Sequence, residues 1–271
     1  MIFRFQSKPN TSRARCCGDG RLFRPLFALL WKRNIAVDLV SPRADLSAYD
    51  LILAPSVFLI PPGFPERLAS YVNAGATVLV DALSGWVDDD LAICEGGRLG
   101  PELRELLGVR PEEFDCLRPD EVLEIKTYDP ALPRKAEGVG FCDRIHVLDA
   151  HVIGKVEDTF HFDAPALTSR NVGKGEVIYQ AVGLGREALA HLLDSLCRKK
   201  LIEAPIPDIP KGVLVSERRG EDGTFLILLN PHTEAASVAL PDGMIDLRSG
   251  AACGAERKLG PWDGAVLRRG E

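Results

Sequence analysis

The chain is 271 residues long, with a hydrophobic fraction of 46%, a charged fraction of 27% and a formal net charge of −6 at pH 7. This composition is typical of a soluble globular protein and excludes a mostly disordered or collagen-like chain. The acidic excess argues against a dedicated nucleic-acid-binding protein, which usually carries a basic surplus. The longest apolar stretch, residues 51–60, is too short to span a bilayer. The length predicts one large domain, or a large domain and a small one.

The seven cysteines include no Cys-x-x-Cys pair, so the sequence predicts neither a structural zinc site nor a thioredoxin-type redox pair. The N-terminus lacks the continuous apolar run of a signal peptide. We therefore expect reduced thiols in a cytoplasmic protein. Residues 1–20 are basic and carry the Cys16-Cys17 pair. They are expected to form a poorly ordered leader, although an organelle transit peptide has a similar composition.

The first half of the chain alternates between helical and extended patterns. Apolar residues spaced three or four apart predict three helices, over residues 21–33, 65–74 and 101–107. Continuously apolar runs predict three buried strands, over residues 35–40, 51–54 and 77–80. Strands that are apolar on both faces are typical of a parallel sheet covered by helices on both sides. The pattern therefore predicts a doubly wound α/β layer.

The middle of the chain, residues 121–171, changes to short extended runs separated by turns, which predicts an antiparallel insertion. The expected strands lie at 122–125, 145–148 and 160–162. The α/β pattern then returns, with a buried strand over 177–182 and an amphipathic helix over 186–199.

The Pro-rich stretch 204–210 predicts a linker between two domains. Beyond it, five short strands are expected at 213–219, 225–230, 237–240, 244–247 and 265–269. They would form a small all-β domain, residues 211–271, close to the lower size limit for a self-supporting core.

Several short motifs, in a fixed order and spacing, resemble the C-terminal part of family 42 glycoside hydrolases, the bacterial β-galactosidases. The similarity runs from about residue 21 to the end of the chain. The motifs that carry it are LWKRNIAVD (30–38), DLSAYDLILAP (45–55), YVNAG (71–75), SGWVD (84–88), LLGV (106–109), EFD (113–115), GKGEVIY (173–179), LNPH (229–232) and DLRSG (246–250).

Such enzymes consist of a catalytic barrel, a trimerisation domain of flavodoxin-like or class I amidotransferase-like fold, and a small β-sandwich. The resemblance implies that residues 21–203 are the trimerisation-like domain and that 211–271 are the β-sandwich. A (β/α)₈ barrel takes about 250 residues, so we expect the barrel and its two catalytic glutamates to lie outside this sequence. The resemblance thus implies no catalytic, cofactor or metal residue here. It implies a homo-oligomer, a trimer by analogy, with no nucleic-acid or membrane partner.

The start of the chain departs from the family pattern. In a flavodoxin-like sheet with order 2-1-3-4-5, the first strand lies in the middle. Here only residues 2–5 could fill that place, with 6–20 as a long connection. Without such a strand, the strands predicted at 35–40 and 51–54 would keep backbone groups without hydrogen-bond partners.

Two functions remain open from the sequence: a non-catalytic oligomerisation fragment, or the non-barrel part of a split β-galactosidase that assembles with a separate barrel polypeptide. Retaining glycoside hydrolysis needs two carboxyl groups about 5–5.5 Å apart. The adjacent acids at 88–90 and 112–113 are interpreted instead as a solvated loop and a helix start. A third reading is an amidotransferase-like hydrolase, which needs a nucleophile and a histidine. Ser84 and Cys94 lack such a partner in sequence, so Ser84 is expected to cap a turn.

Three further sequence patterns concern a nucleotide site, a metal site and a subunit contact. Gly183-Leu184-Gly185 lacks the third glycine of a nucleotide-binding fingerprint and is expected to form a tight turn. Cys142, His146, His151 and His161 lie close in sequence, but His146 and His151 would point to opposite faces of an extended strand, so no metal site is predicted. Apolar residues that could contact another subunit, or simply belong to the core, are Phe27, Trp31 and 58–62.

Overall fold

The computed structural model describes residues 23–157 and 163–270. The leader at 1–20, the strand suggested at 2–5, the strand predicted at 160–162 and His161 lie outside these residues. The described chain divides into two compact units. The first contains residues 23–27, 38–157 and 163–200, and the second contains residues 28–37 and 201–270.

The helical predictions are confirmed. The helices are α1 (Phe23–Trp31), α2 (Phe64–Ala74), α3 (Gly100–Leu107) and α4 (Arg186–Lys199). Gly75 ends α2 with φ 129°, and its N–H donates to the carbonyls of Tyr71 and Val72. Gly108 ends α3 with φ 66°. Both glycines adopt backbone conformations that are unfavourable for residues with a Cβ atom, so the helices stop there. No helix in the described ranges is long and apolar enough to cross a membrane.

The first unit contains a nine-stranded mixed sheet. Its main order is β1-β2-β8-β7-β6-β4-β5-β3, with β9 paired to β5. The strands are β1 (Leu51–Ala54), β2 (Thr77–Asp81), β3 (Val109–Cys116), β4 (Leu123–Thr127), β5 (Lys135–Val147), β6 (His151–Val156), β7 (Pro165–Val172), β8 (Gly175–Gln180) and β9 (Val182–Leu184).

The parallel part of this sheet consists of β1, β2 and β8. The strands of the predicted insertion are antiparallel, as expected, but they continue the same sheet. This continuity arises at β8, which pairs in parallel with β2 on one side and antiparallel with β7 on the other.

Two local predictions were wrong. Residues 35–40 are half-buried or exposed and, apart from the bridge residue Leu39, form no strand. Burial on both faces, which would favour a continuously apolar strand there, is therefore missing. Glu112 and Glu113 do not begin a helix. They lie in β3, which pairs with β5 through a bulge between Pro111 and Glu113, so strand pairing overrides the local charge pattern.

The core of the first unit lies between the parallel strands and the helices. Every residue of β1 and β2 is buried. Leu68 and Val72 of α2 and Leu103 and Leu107 of α3 are at most 1% exposed and belong to the same apolar cluster. Each such side chain contributes about 1.5–3 kcal/mol through burial, so the cluster holds the carboxyl ends of the parallel strands in a fixed arrangement.

The second unit contains a four-stranded and a two-stranded antiparallel sheet. The orders are β10-β11-β15-β13 and β12-β14, for strands β10 (Leu214–Gly220), β11 (Gly223–Leu229), β12 (Ala236–Ala239), β13 (Met244–Asp246), β14 (Glu256–Leu259) and β15 (Gly264–Arg269). The five predicted strands are confirmed. The strand β14 has no apolar pattern in the sequence, because three of its four residues are charged. Leu228, Val238, Leu259 and Leu267 bring both sheets into one core.

Candidate functional site

The carboxyl ends of β1, β2 and β8 lie at one edge of the sheet because these strands are parallel. Ligand sites of open α/β sheets usually form at this edge. The loop of residues 82–99, between β2 and α3, contributes most of the polar and aromatic side chains here, and we call it the edge loop. The hydrogen bonds and pKa shifts of these side chains show whether they serve a reaction or hold the strands together.

Asp81 ends β2 and is 5% exposed. Its carboxylate accepts hydrogen bonds from the backbone N–H of Ser56 at 2.9 Å and of Leu83 at 3.1 Å. The Ser84 hydroxyl lies 3.1 Å from the same carboxylate. Burial raises the pKa of Asp81 to about 6, although these hydrogen bonds favour its charged form. The carboxylate thus ties the ends of two parallel strands together.

Ser84 is 2% exposed and is fully occupied by structural hydrogen bonds. Its oxygen accepts the Val57 N–H at 3.0 Å, and its proton can be accepted by Asp81 or by the Ala54 carbonyl, each at 3.1 Å. No hydrogen bond joins Ser84 or Cys94 to a histidine in the part of the chain that is described. Burial also raises the pKa of the Cys94 thiol, which favours its unreactive protonated form. Among the described residues, neither Ser84 nor Cys94 is therefore placed as an activated nucleophile.

A second buried network crosses the sheet at Asp143 of β5, which is fully buried. One carboxylate oxygen binds the Arg98 guanidinium and the other accepts the Tyr179 hydroxyl proton at 2.7 Å. Burial raises the pKa of Asp143 to about 6, against the opposing effects of Arg98 and Tyr179. The pKa of Tyr179 is also raised well above its usual value, mainly by burial and then by Asp143.

Arg98 also packs against aromatic rings. Its guanidinium carbon lies 4.8 Å from the centre of the Trp86 ring and 5.6 Å from that of Phe114. The Trp86 ring stacks on Phe58 at 5.9 Å and meets Phe114 edge-on at 5.1 Å. Cation–π contacts of this kind add to the ion pair. Arg98 thus anchors the far end of the edge loop to β5 and to the aromatic rings.

Between these anchors the edge loop projects a short turn, residues 88–93, which we call the hairpin tip. The Asp88 carboxylate accepts the N–H of Asp90 at 2.9 Å and of Ala92 at 3.0 Å. Leu91 has φ 62° and is 73% exposed, and Ile93 is 74% exposed. Two large aliphatic side chains are therefore displayed on a turn that hydrogen bonds hold in place.

The remaining sequence candidates are not brought together. His146 and His151 are exposed, and no group of three potential metal ligands occurs within the described ranges. Gly183 and Gly185 support close strand contact rather than the predicted tight turn. A Cβ at Gly183 would lie 2.1 Å from the Val139 carbonyl oxygen, and one at Gly185 would lie 2.9 Å from Cβ of Glu137. Sequence patterns alone did not reveal these close contacts.

The exposed apolar candidates give a mixed result. Phe27 is half-buried, Trp31 is 47% exposed and Phe58 is 38% exposed, whereas Pro61 is buried. Leu91 and Ile93 were not predicted from the sequence, because a run of three aspartates next to them indicates only a solvated loop. Arg98, Asp143 and Tyr179 were not predicted either, and the signal that could have found them was an acidic residue inside the apolar pattern Phe141–Ile145.

Two surface cavities are lined by residues outside the edge loop. The first, about 510 Å³, lies beside the N-terminus of α4 and carries three glutamates. The second, about 500 Å³, surrounds the turn between β4 and β5, and we call it the turn groove. It is lined by Lys126, Thr127, Tyr128, Asp129, Pro130, Leu132, Arg134, Lys135 and Glu157. The turn groove combines an exposed aromatic ring with three basic and two acidic side chains, a basic excess of one charge.

The fold and its carboxyl edge define an α/β protein whose edge is closed by structural hydrogen bonds and ion pairs. Residues 21–203 match the model of the β-galactosidase trimerisation domain. The chain therefore belongs to that family, and the resemblance to family 42 glycoside hydrolases is confirmed.

Individual relatives agree with this assignment. The β-galactosidase BgaP of Planococcus sp. strain L4 is 33% identical over 79% of this chain, and that of Clostridium perfringens, Pbg, is 29% identical over 90%. The crystal structure of a β-galactosidase from Bacillus circulans sp. alkalophilus superposes on 90% of the chain with a TM-score of 0.83 and 28% identity. A catalytic mutant of Gan42B, a GH42 β-galactosidase from G. stearothermophilus, superposes on 99% with a TM-score of 0.84 and 25% identity.

These matches cover 32% and 36% of the two curated relatives, and 36% and 40% of the two solved chains. The chain thus spans about a third of the length of the curated relatives it matches. The mixed sheet with its helices corresponds to part of a GH42 β-galactosidase.

Proposed function

We propose that this chain is a non-catalytic self-association module of the β-galactosidase type, and that it forms a homotrimer. The observation that carries the proposal is the match of residues 21–203 to the trimerisation domain family. The carboxyl edge supports it, since Asp81 and Ser84 are occupied in holding strands together. The displayed Leu91 and Ile93 also support it, because exposed aliphatic clusters often mark protein contacts.

Size-exclusion chromatography with light scattering tests the proposal on the purified chain. The expected mass is three times the 29.5 kDa of one chain. A monomer throughout the micromolar range would contradict it. Hydrolysis of a nitrophenyl β-galactoside is expected to stay at the level of a buffer blank. Turnover that co-purifies with the chain would show that the non-catalytic assignment is wrong.

A second candidate function is the non-barrel part of a split β-galactosidase, and the match to the β-galactosidase trimerisation domain is the observation that favours it. The test is complementation. The barrel of the Bacillus circulans relative, expressed without its matching region, would be mixed with this chain and assayed on the same substrate. Restored hydrolysis together with co-elution supports a separate barrel partner, and activity that does not depend on this chain contradicts it.

We further propose that the parallel layer of β1, β2 and β8 belongs to a flavodoxin-like or class I amidotransferase-like doubly wound sheet, without the chemistry of an amidotransferase-like hydrolase. The domains would be 21–203 and 211–271, with 204–210 as the linker. Limited proteolysis tests that boundary, because cleavage is expected first in the Pro-rich stretch.

The cysteine usage supports a cytoplasmic location with reduced thiols.

A further inference from the structure

We propose that copies of this chain associate head to tail, with the hairpin tip of one copy seated in the turn groove of the next. The inference rests on the proposed self-association and names its surfaces. A three-membered ring is built from heterologous contacts, in which two different patches of the same chain meet. The hairpin tip and the turn groove are two such patches on the first unit: the tip displays two exposed aliphatic side chains beside acidic residues, and the groove offers an exposed aromatic ring and a basic excess.

The hairpin tip is built in advance of any contact. Leu91 holds φ 62°, in the left-handed region that is unfavourable for a leucine. The turn nevertheless keeps this conformation, because Asp88 accepts two backbone N–H groups and its own N–H donates to the Ala92 carbonyl at 2.9 Å. A segment that is already ordered loses less conformational entropy when it binds. Displaying an aliphatic side chain at a strained position suits a contact surface.

The base of the tip is fixed as well. Val87 pairs with Ile93, and the Trp86 N–H donates to the Phe58 carbonyl at 2.9 Å. On the far side, Arg98 is held by Asp143 and by the Trp86 and Phe114 rings. The tip therefore projects from a rigid base.

The turn groove offers an apolar floor of the right size. Tyr128 is 52% exposed, and it lines the groove together with Pro130 and Leu132. A cavity of about 500 Å³ accommodates two aliphatic side chains. Aromatic rings are enriched at the centres of protein interfaces, where they bury large apolar areas. Leu91 and Ile93 would cover the Tyr128 ring and remove it from water.

The charges of the hairpin tip and of the turn groove also favour a contact between these two surfaces. In the described residues, Asp89 of the tip pairs with Arg43, and Lys126 and Lys135 of the groove pair with Glu157 and Glu124. Asp90 of the tip and Arg134 of the groove make no ion pair within the described part of the chain. Seating the tip would bring these opposite charges together at the rim. The other cavity is lined by three glutamates and by Lys135, which pairs with Glu124, and its remaining acidic excess would instead repel an acidic tip.

A charge exchange tests the contact in the full chain. Asp90→Lys alone and Arg134→Glu alone are each expected to weaken association at least tenfold, because each places like charges across the rim. The combined variant D90K/R134E is expected to regain most of the wild-type association. Leu91→Ser together with Ile93→Ser is expected to give a monomer. Exposed sites elsewhere supply matched controls: Asp120→Lys for the charge and Leu148→Ser for the aliphatic side chain.

Mass by light scattering across a concentration series reads the outcome, and circular dichroism confirms that each variant is folded. If wild-type protein is monomeric across the concentration series, the proposed self-association and the contact are both wrong. If wild-type protein is oligomeric and D90K and R134E leave its mass unchanged, the contact is wrong while self-association stands. If D90K dissociates the oligomer and the combined variant D90K/R134E stays dissociated, the tip docks elsewhere and the assignment of the groove is wrong.

Discussion

Tyr179 and Asp143 are joined by a 2.7 Å hydrogen bond between two buried side chains, although their strands β8 and β5 are not neighbours in the main order of the sheet. Arg98 binds the second carboxylate oxygen from the edge loop. The three residues therefore tie the loop to two separate parts of the sheet. Since Arg98 is 14% exposed on its side chain and Asp143 is fully buried, most of this ion pair is out of water.

Replacing Arg98 with methionine is expected to destabilise the first unit by about 3 kcal/mol, since removing one partner of a buried pair leaves an uncompensated charge. Methionine keeps much of the packing against Trp86. Trp86 is also the sole tryptophan of the first unit, because Trp31 and Trp262 lie in the second. Urea unfolding followed by Trp86 fluorescence, in a background with Trp31 and Trp262 changed to phenylalanine, measures the loss.

The matched control for this variant is the double change R98M/D143N, which removes both charges. It is expected to be more stable than R98M alone, because no carboxylate remains buried without its cation. A double change that is as unstable as the sum of the two single changes would show that Arg98 acts through packing and not through its charge.

The pH dependence of stability is expected to report on Asp81. Burial raises its folded-state pKa from 3.8 to about 6, so the folded state holds this proton more tightly than the unfolded state does. The resulting stabilisation is fully present below about pH 4 and is lost as the pH rises through 6, by about 3 kcal/mol in all. The free-energy difference between wild type and D81N should therefore shrink as the pH rises from 4 to 7.5.

Carbon-detected NMR titration of the Asp81 carboxyl group provides an independent measurement. A midpoint near 6 is expected. A midpoint near 4 would mean that the hydrogen bonds from Ser56, Leu83 and Ser84 cancel the cost of burial, and a stability difference that grows with pH would mean that they outweigh it.

The sequence predicted the helices and most strands because their signals are local. Apolar spacing, Gly75 and Gly108 all act within one or two turns of chain. The failures share a different cause. The segment 35–40 carries a strand pattern but is not buried on both faces, and β3 forms despite its charges because β5 supplies hydrogen-bond partners.

The site was less predictable than the fold. The Asp143–Arg98 pair joins residues 45 apart in sequence, and the Tyr179–Asp143 pair joins residues 36 apart. No local pattern encodes such pairs. The SGWVD motif that begins at Ser84 can be read from the sequence. Only the structure shows that the Ser84 hydroxyl is hydrogen-bonded to the backbone of Val57 and Ala54 and to the Asp81 carboxylate. The exposure of Leu91 depends on the turn made by Asp88, which the composition of the loop does not specify.

Ser84→Ala is expected to reduce the free energy of unfolding by about 1–3 kcal/mol, because the Val57 N–H would lose its buried acceptor. Ser70→Ala is the matched control. Ser70 is exposed on α2 and bonds only the Arg67 carbonyl in the described residues, so a change within about 0.5 kcal/mol is expected. Equal effects of the two substitutions, measured by urea unfolding of Trp86 fluorescence, would contradict the structural role of Ser84.

Alanine substitutions at Gly85 and Gly96 distinguish the cost of backbone strain from the cost of steric contact, because both glycines lie in the edge loop. Their φ angles are 70° and 72°, so an alanine at either position meets the same unfavourable conformation. At Gly85 a Cβ would also lie 2.8 Å from Cα of Leu99, whereas at Gly96 its nearest neighbour is the flexible end of Arg104 at 3.7 Å. Gly96→Ala is therefore expected to cost about 1 kcal/mol, the usual penalty for a left-handed residue.

Gly85→Ala is expected to cost clearly more than Gly96→Ala, because it must also displace the buried Leu99, whose N–H donates to the Gly85 carbonyl at 2.6 Å. That displacement would move the adjacent Arg98 and disturb its contact with Trp86. We therefore expect a shift in Trp86 emission for Gly85→Ala and none for Gly96→Ala. Similar stabilities and spectra for the two variants would show that the edge loop tolerates movement at Leu99, and that the rigid base of the hairpin tip is not maintained there.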